Sequence, residues 1–318
     1  MSFSSLAKQE LCRLEELRDC CALAELAALL HGCAILHLGR EGWRLSLSTE
    51  SPAVARRTAL LLKHVFLVSP QLNTLQRRRL GRSKVYRLTL GPGPEVLQIL
   101  LKTGLMRQSE EGLTFTRAVP GSILRRNCCR YAYMRGAFLA TGYLNDPEKG
   151  YHLEICGTDA EYAASLCRWL NRQGLRARVV SRKEVQVVYI KDSEQIVTFL
   201  SMVGAHKALL EMENVRVEKD MRNRVNRIVN CEQANIEKTL SASQRQVEAI
   251  QSLERLGGLW RLSPALLKTA ELRLEYPDAT LQELGEYFSP PVGKSAVNHR
   301  LRKLEQLACE WKEKLGEE

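Results

Sequence analysis

The sequence predicts an α+β protein: a helix–strand–strand–helix–strand–strand–helix unit present in two copies, then an all-helical carboxy-terminal region. Three observations carry this. The order of apolar periodicities in residues 20–105 returns in residues 120–205, and residues 206–243 contain neither Gly nor Pro. Beyond residue 243, capping residues punctuate short amphipathic helices.

In the first copy, a helix ends at Leu26-Ala-Ala-Leu-Leu-His-Gly-Cys-Ala34. Ile35–Leu38 and Trp43–Thr49 then read as a hairpin turned at Gly39–Gly42. Ser51-Pro52 opens a helix through Leu62 and Phe66, followed by basic strands at Thr74–Arg79 and Lys84–Leu90 and a helix from Pro94 to Thr103. In the second copy, Arg135–Tyr143 closes a helix and Tyr151–Cys156 alternates. Thr158-Asp-Ala-Glu161 reads as a capping box opening the helix of Leu166, Trp169 and Leu170. Leu175–Val180 and Val185–Ile190 pair, and Asp192–Gly204 is a helix ended by glycine. Ala27, Ala28, Gly136, Ala137 and Ala140 would let the first helices of the two copies pack closely at a pseudo-two-fold axis, or would simply fill a tight core.

That repeat resembles the LAGLIDADG homing endonucleases, with Met134-Arg-Gly-Ala-Phe-Leu-Ala-Thr-Gly142 aligned on the nine-residue motif and Leu26–Ala34 a poorer copy. The resemblance implies a metal-binding acid just before the last glycine of each motif. Cys33 and Thr141 stand there, and His31 and Leu139 fill the other acidic positions. A thiol and a hydroxyl are poor ligands for a hard divalent cation. No catalytic residue, metal site or cofactor is expected. Glu25, Asp146 and Glu148 are nearby acids without a counterpart in the other copy, and they keep a metal-dependent endonuclease as the alternative.

The formal charge of +11 and pI near 9.2 favour a polyanionic partner. Arg77, Arg78, Arg79, Arg82, Lys84 and Arg87 form one acid-free basic run; Arg168, Arg172, Arg176, Arg178, Arg182 and Lys183 lie in a second region. These runs are either phosphate contacts at equivalent places in the two copies or solvated faces of long side chains. Between them and the C-terminal region, Val225, Ile228 and Val229 form a thin stripe ringed by Arg222, Asn223, Arg224, Asn226, Arg227 and Asn230. This stretch reads first as a helical linker, with DNA contact also open.

Gln244–Leu256 reads as a helix stopped by Gly257-Gly258, and Ser263-Pro264 caps the next, Ala265–Glu275. Thr280-Leu-Gln-Glu283 is a capping box whose short helix presents Leu281, Leu284, Tyr287 and Phe288 on one face. Ser289–Gly293 turns into a second helix, Lys294–Leu304. Val297, Leu301 and Leu304 point that helix inward, leaving Lys294, Ser295, Asn298, His299 and Arg302 to face out. A helix, a short turn and a basic helix are the parts of a DNA-reading helix-turn-helix. Early outward residues would reach base edges, and Arg300, Arg302 and Lys303 would grip phosphates.

The ten cysteines read as reduced thiols, with Cys156, Cys167 and Cys309 as small core residues. Without a C-x-x-C, a zinc site is not expected. Neither a signal peptide nor an 18-residue apolar run is present, so the chain is expected to stay in the cytoplasm, with the nucleoid, and off membranes.

Taken together, Arg135–Gly142 with Asp146–Lys149 and Tyr151–Glu154, Asn223–Asn226, and Lys294–Lys303 resemble the WhiA family of Gram-positive regulators. The resemblance implies a non-enzymatic, sequence-specific transcriptional regulator acting on double-stranded promoter DNA in cell division, chromosome segregation or sporulation. It also implies a WhiB-like protein partner if the source is an actinobacterium. An interaction scaffold with secondary DNA binding is the remaining class. The expected domains are 1–205, a linker at 206–243, and 244–318.

Overall fold

A computed structural model describes residues 2–15, 18–76, 84–110, 112–157 and 159–315. Two compact units divide it, Met1–Lys219 and Asp220–Glu318. The division falls inside the stretch read as a linker, because one continuous helix runs through it.

In the first unit, α1 Phe3–Cys12 precedes the repeats. The first repeat is α2 Asp19–Cys33, β1 Ala34–Gly39, β2 Gly42–Thr49, α3 Pro52–Phe66, β3 Gln71–Gln76, β4 Lys84–Leu90 and α4 Pro94–Lys102. A small hairpin follows, β5 Met106–Ser109 with β6 Gly112–Phe115. The second repeat is α5 Asn127–Thr141, β7 Gly142–Leu144, β8 Leu153–Gly157, α6 Ala160–Arg172, β9 Arg178–Arg182, β10 Val185–Ile190 and α7 Ser193–Val203. The two antiparallel sheets have the same order, β1-β2-β4-β3 and β7-β8-β10-β9. A repeated order of apolar periods has become a repeated topology. Leu45, Leu47, Leu88 and Leu90 of one sheet, and Leu153, Ile155, Val188 and Ile190 of the other, turn one face into a shared core.

At the centre of that core, α2 packs along α5. A Cβ on Gly136 would stand 2.2 Å from the Glu25 carbonyl oxygen and 2.8 Å from Ala28 Cβ, and one on Gly32 would stand 2.8 Å from Ala140 Cβ. Small residues are therefore required for backbone approach, not merely tolerated as filler. The Glu25 carboxylate, fully buried, accepts from Arg57 Nε of α3 and Arg135 Nε of α5, both at 2.8 Å. Its charge is matched inside the core, which is what makes its burial tolerable.

Several local expectations change. Thr158 lies outside the described residues, and Asp159 caps α6 by accepting from Tyr162 N at 2.8 Å. The second basic strand starts at Arg178, not Leu175, because the Asn171 amide takes both backbone groups of Ala177 (2.7 and 3.1 Å) before a neighbouring strand can. The α1 helix and the β5–β6 hairpin are additional to the expected elements.

α8 His206–Arg255 begins in the first unit and ends in the second, where α9 Pro264–Glu275, α10 Leu281–Glu286 and α11 Lys294–Leu315 complete a separate core. The Thr280–Glu283 capping box is formed on both sides. Ser263 sits at the N-cap of α9, yet its hydroxyl makes no capping bond. The second helix runs well past Leu304, with Ala308 buried one turn farther on. No helix among the described residues is long and apolar enough to cross a membrane.

Two substitutions test the central seam by urea denaturation. Gly136→Ala forces the α2 backbone away and should cost about 3 kcal/mol. Glu25→Gln removes the negative charge facing buried Arg57 and half-buried Arg135 and should cost about 3–5 kcal/mol. A loss below about 1 kcal/mol for both would contradict the packing described.

Candidate nucleic-acid interface

In the second unit, the turn between α10 and α11 is tight because Gly285 has no side chain: a Cβ there would meet the Val292 carbonyl oxygen at 2.2 Å. Val292 N also donates to Gly285 O at 3.0 Å. Val297, Leu301 and Leu304 are buried, which fixes the rotation of α11 about its axis. Lys294, Ser295, His299, Arg302 and Lys303 are consequently exposed, and Asn298 is half-buried. Lys294 and Asn298 line a recess with Thr280, the N-cap of α10, Gln282 within it, and Lys238 and Thr239 of α8. The α8 and α10 residues were not anticipated as part of this face; only the Thr280 cap pointed towards the recess.

Arg300 is half-buried, its guanidinium lying 5.1 Å from the centre of the Phe288 ring. One expectation for this unit is corrected. Tyr287 is 49% exposed and stacks on Tyr276 at 4.4 Å, leaving the apolar face of α10 to Leu281, Leu284 and Phe288. On α8, Arg222, Asn223, Arg224, Asn226 and Arg227 are all exposed, as are Val225, Ile228 and Val229.

The basic strands of the first unit carry their charge unevenly. Arg77, Arg78, Arg79 and Arg82 lie outside the described residues. Lys84 is exposed at the start of β4, and Arg87 shares the outward face of its sheet with Asn73 and Ser48. Arg176, Arg178, Arg182 and Lys183 are exposed on and around β9. Glu154 of β8 accepts from Arg182 at 3.3 Å and pairs with His152 at 3.0 Å, so part of this face is internally neutralised. A basic run read along one strand cannot register an acid on another.

The ends of the central helices resemble a nuclease centre in placement but not in chemistry. Cys33 donates its thiol to Leu29 O at 3.0 Å, and the Thr141 hydroxyl is buried without a hydrogen-bond partner among the described residues. Lys8 of α1 reaches the same ends and donates to Leu139 O at 3.3 Å; burial pulls its ammonium down to about 8. A thiol, a hydroxyl and an ammonium do not fit a hard divalent ion. Glu25 is committed to its two arginines, and Asp146 accepts from Glu148 N in an exposed turn. His31 bonds Ala27 O through Nδ1 at 2.8 Å and stacks on Tyr162 at 5.7 Å; burial depresses its pKa to about 4. It is a neutral core residue. Cys309 is exposed, against the expectation of a core position, whereas Cys156 and Cys167 are half-buried.

Fold and site together define a LAGLIDADG-like protein joined to a helix-turn-helix domain. Residues 19–106 match the WhiA N-terminal LAGLIDADG-like domain, 130–222 the WhiA LAGLIDADG-like domain, and 225–308 the WhiA C-terminal HTH domain. The chain is 49% identical over 309 residues to the probable cell division protein WhiA of Heliobacterium modesticaldum, covering 97% of this chain and 96% of that protein. It is 48% identical over 318 residues to the protein of the same name from Desulfitobacterium hafniense, covering 100% and 98%. The chain belongs to the WhiA family. Full-length DUF199/WhiA from Thermatoga maritima shares its fold at a TM-score of 0.57 and 22% identity, covering 98% of this chain and 99% of that one.

The buried imidazole gives a pH prediction. A folded value near 4 against an ordinary 6.5 means that the unfolded chain binds the His31 proton first as pH falls. This group's contribution is intact above pH 6.5 and is lost between 6.5 and about 4. Urea midpoints should therefore fall more steeply across that window in wild type than in His31→Gln. Parallel curves would sink the assignment.

Proposed function

We propose that this protein is a sequence-specific DNA-binding regulator of cell division that binds promoter DNA without cleaving it. The supporting observation is the first half of α11. Three buried residues hold it, its exposed surface carries Lys294, Arg302 and Lys303 without an acid, and Asn298 sits in the recess behind. Lys294, Ser295 and Asn298 are assigned to base edges, and Arg300, Arg302 and Lys303 to phosphates, with His299 beside them. Exposed Arg222, Asn223, Arg224, Asn226 and Arg227 supply further phosphate and base-edge donors on α8, and Lys84, Arg176, Arg178, Arg182 and Lys183 form a secondary basic surface. The domain reading retains a degenerate nuclease-like domain at 1–205, a helical linker at 206–243 and a reader at 244–318. A role in chromosome segregation or sporulation, and a regulatory protein partner, belong to the same proposal.

Absence of catalysis follows from donor chemistry: Cys33 and Thr141 replace the acids that phosphodiester hydrolysis by metal-activated water requires, with Lys8 beside them. The relatives' names support the cell-division assignment. An interaction scaffold is a second reading, favoured by Val225, Ile228 and Val229, each more than half exposed on α8.

Gel-shift titration against genomic sites recovered by immunoprecipitation tests the proposal. Asn298→Ala should weaken binding at the specific site by about 1–3 kcal/mol while changing non-specific binding little. Arg302→Ala should weaken both and reduce the log–log salt slope by about 1. Unchanged specific affinity in both variants would defeat the assignment of α11 as reader, and cleavage of supercoiled DNA with Mg²⁺ or Mn²⁺ would defeat the non-enzymatic reading.

A further inference from the structure

The helix pair has a second end. α2 and α5 are in matching register, and the offset that superimposes Cys33 on Thr141 also superimposes Cys20 on Cys128 and Cys21 on Cys129. Each pair lies in the first turn of its helix, about 20 Å along the axis from the degenerate nuclease positions. Close packing at Gly136 brings the two first turns together. All four sulfurs lie within 4.8 Å of one another, with 4.0 Å inside each pair. Cys21 and Cys129 are buried, and Cys20 and Cys128 are half-buried.

Four thiolates around one zinc ion at about 2.3 Å stand about 3.8 Å apart in a tetrahedron. The observed spacing, 4.0 Å within each pair and no more than 4.8 Å across the group, is within about 1 Å of that figure. A cluster with inorganic sulfide would instead spread the sulfurs around several irons. The surroundings suit the charge, because zinc with four thiolates carries two net negative charges. The site receives the first-turn N–H groups of two helices, and Arg18 and Arg126 are their N-cap residues. We infer that Cys20, Cys21, Cys128 and Cys129 form a structural tetrathiolate site for one zinc-class divalent ion, stapling the two repeats at the amino-terminal ends of their central helices.

On binding, each thiol releases its proton to solvent and each sulfur donates a lone pair, with no change in oxidation state. The four-ligand shell is closed, so the ion is structural and offers no position for substrate. The absence of C-x-x-C, which argued against zinc, is no bar: the ligands come as two adjacent pairs separated by a whole repeat. This site is independent of the DNA-binding proposal.

The test uses the full chain expressed in zinc-supplemented medium and purified under reducing conditions without chelator. Elemental analysis should find one zinc per chain, and Co²⁺ exchange should give the intense charge-transfer and visible bands of tetrahedral thiolate coordination. Cys20→Ser with Cys128→Ser should abolish both, whereas Cys231→Ser with Cys309→Ser, at exposed positions, should leave both unchanged. If the first variant does not fold, the wild-type stoichiometry and Co²⁺ spectrum decide. Wild type without stoichiometric zinc, full zinc retention in the Cys20/Cys128 variant, or cross-pair disulfides found by mass spectrometry would each overturn the inference.

Discussion

The approach of α2 to α5 is the constraint on which the first unit depends. Where Gly136 meets the Glu25 carbonyl, no side chain separates the two helices, and every neighbouring choice follows from that contact. Ala28 and Ala140 face Gly136 and Gly32 across the seam, where a larger residue would push the helices apart. Glu25 can be buried because the seam delivers Arg135 from the opposite helix while α3 delivers Arg57. Both sheets share one strand order, as the repeated order of elements in the sequence requires.

The same geometry explains why the two ends of the helix pair differ. At the carboxyl ends, partial negative charge from unpaired carbonyls favours a cation. Lys8 provides one, with its amine on the Leu139 carbonyl. In a metal-dependent nuclease, carboxylates at these ends would recruit a divalent ion; here an ammonium group occupies the region and would repel it. At the amino ends, partial positive charge favours anions, and four cysteines stand there.

Much of this was legible in the sequence. Amphipathic periods and caps marked α3, α6, α7 and the helices of the second unit, because those signals are local. The Thr280–Glu283 box and the Val297–Leu301–Leu304 spacing are read directly from neighbouring residues. What escaped depends on the folded chain. Lys8 reaches the central helices from α1, Glu154 neutralises Arg182 across strands, and two vicinal cysteine pairs converge only when the repeats pack. Motif spacing along one segment contains none of these distances.

Burial divides the labour of α11 with similar economy. With Val297, Leu301 and Leu304 on the core side, a period of 3.6 leaves the intervening positions only a limited arc of outward directions. Lys294 and Asn298 share one line of that arc, one turn apart, while Arg302 continues it farther along the helix. Residues near the amino end of a groove-bound helix approach base edges, and those farther along approach the backbone. Arg300 falls towards the turn instead and lies on Phe288, where its charge is tied to an aromatic face. That contact steadies the α10–α11 turn, and the outward residues of α11 are held at a defined angle by packing rather than by charge.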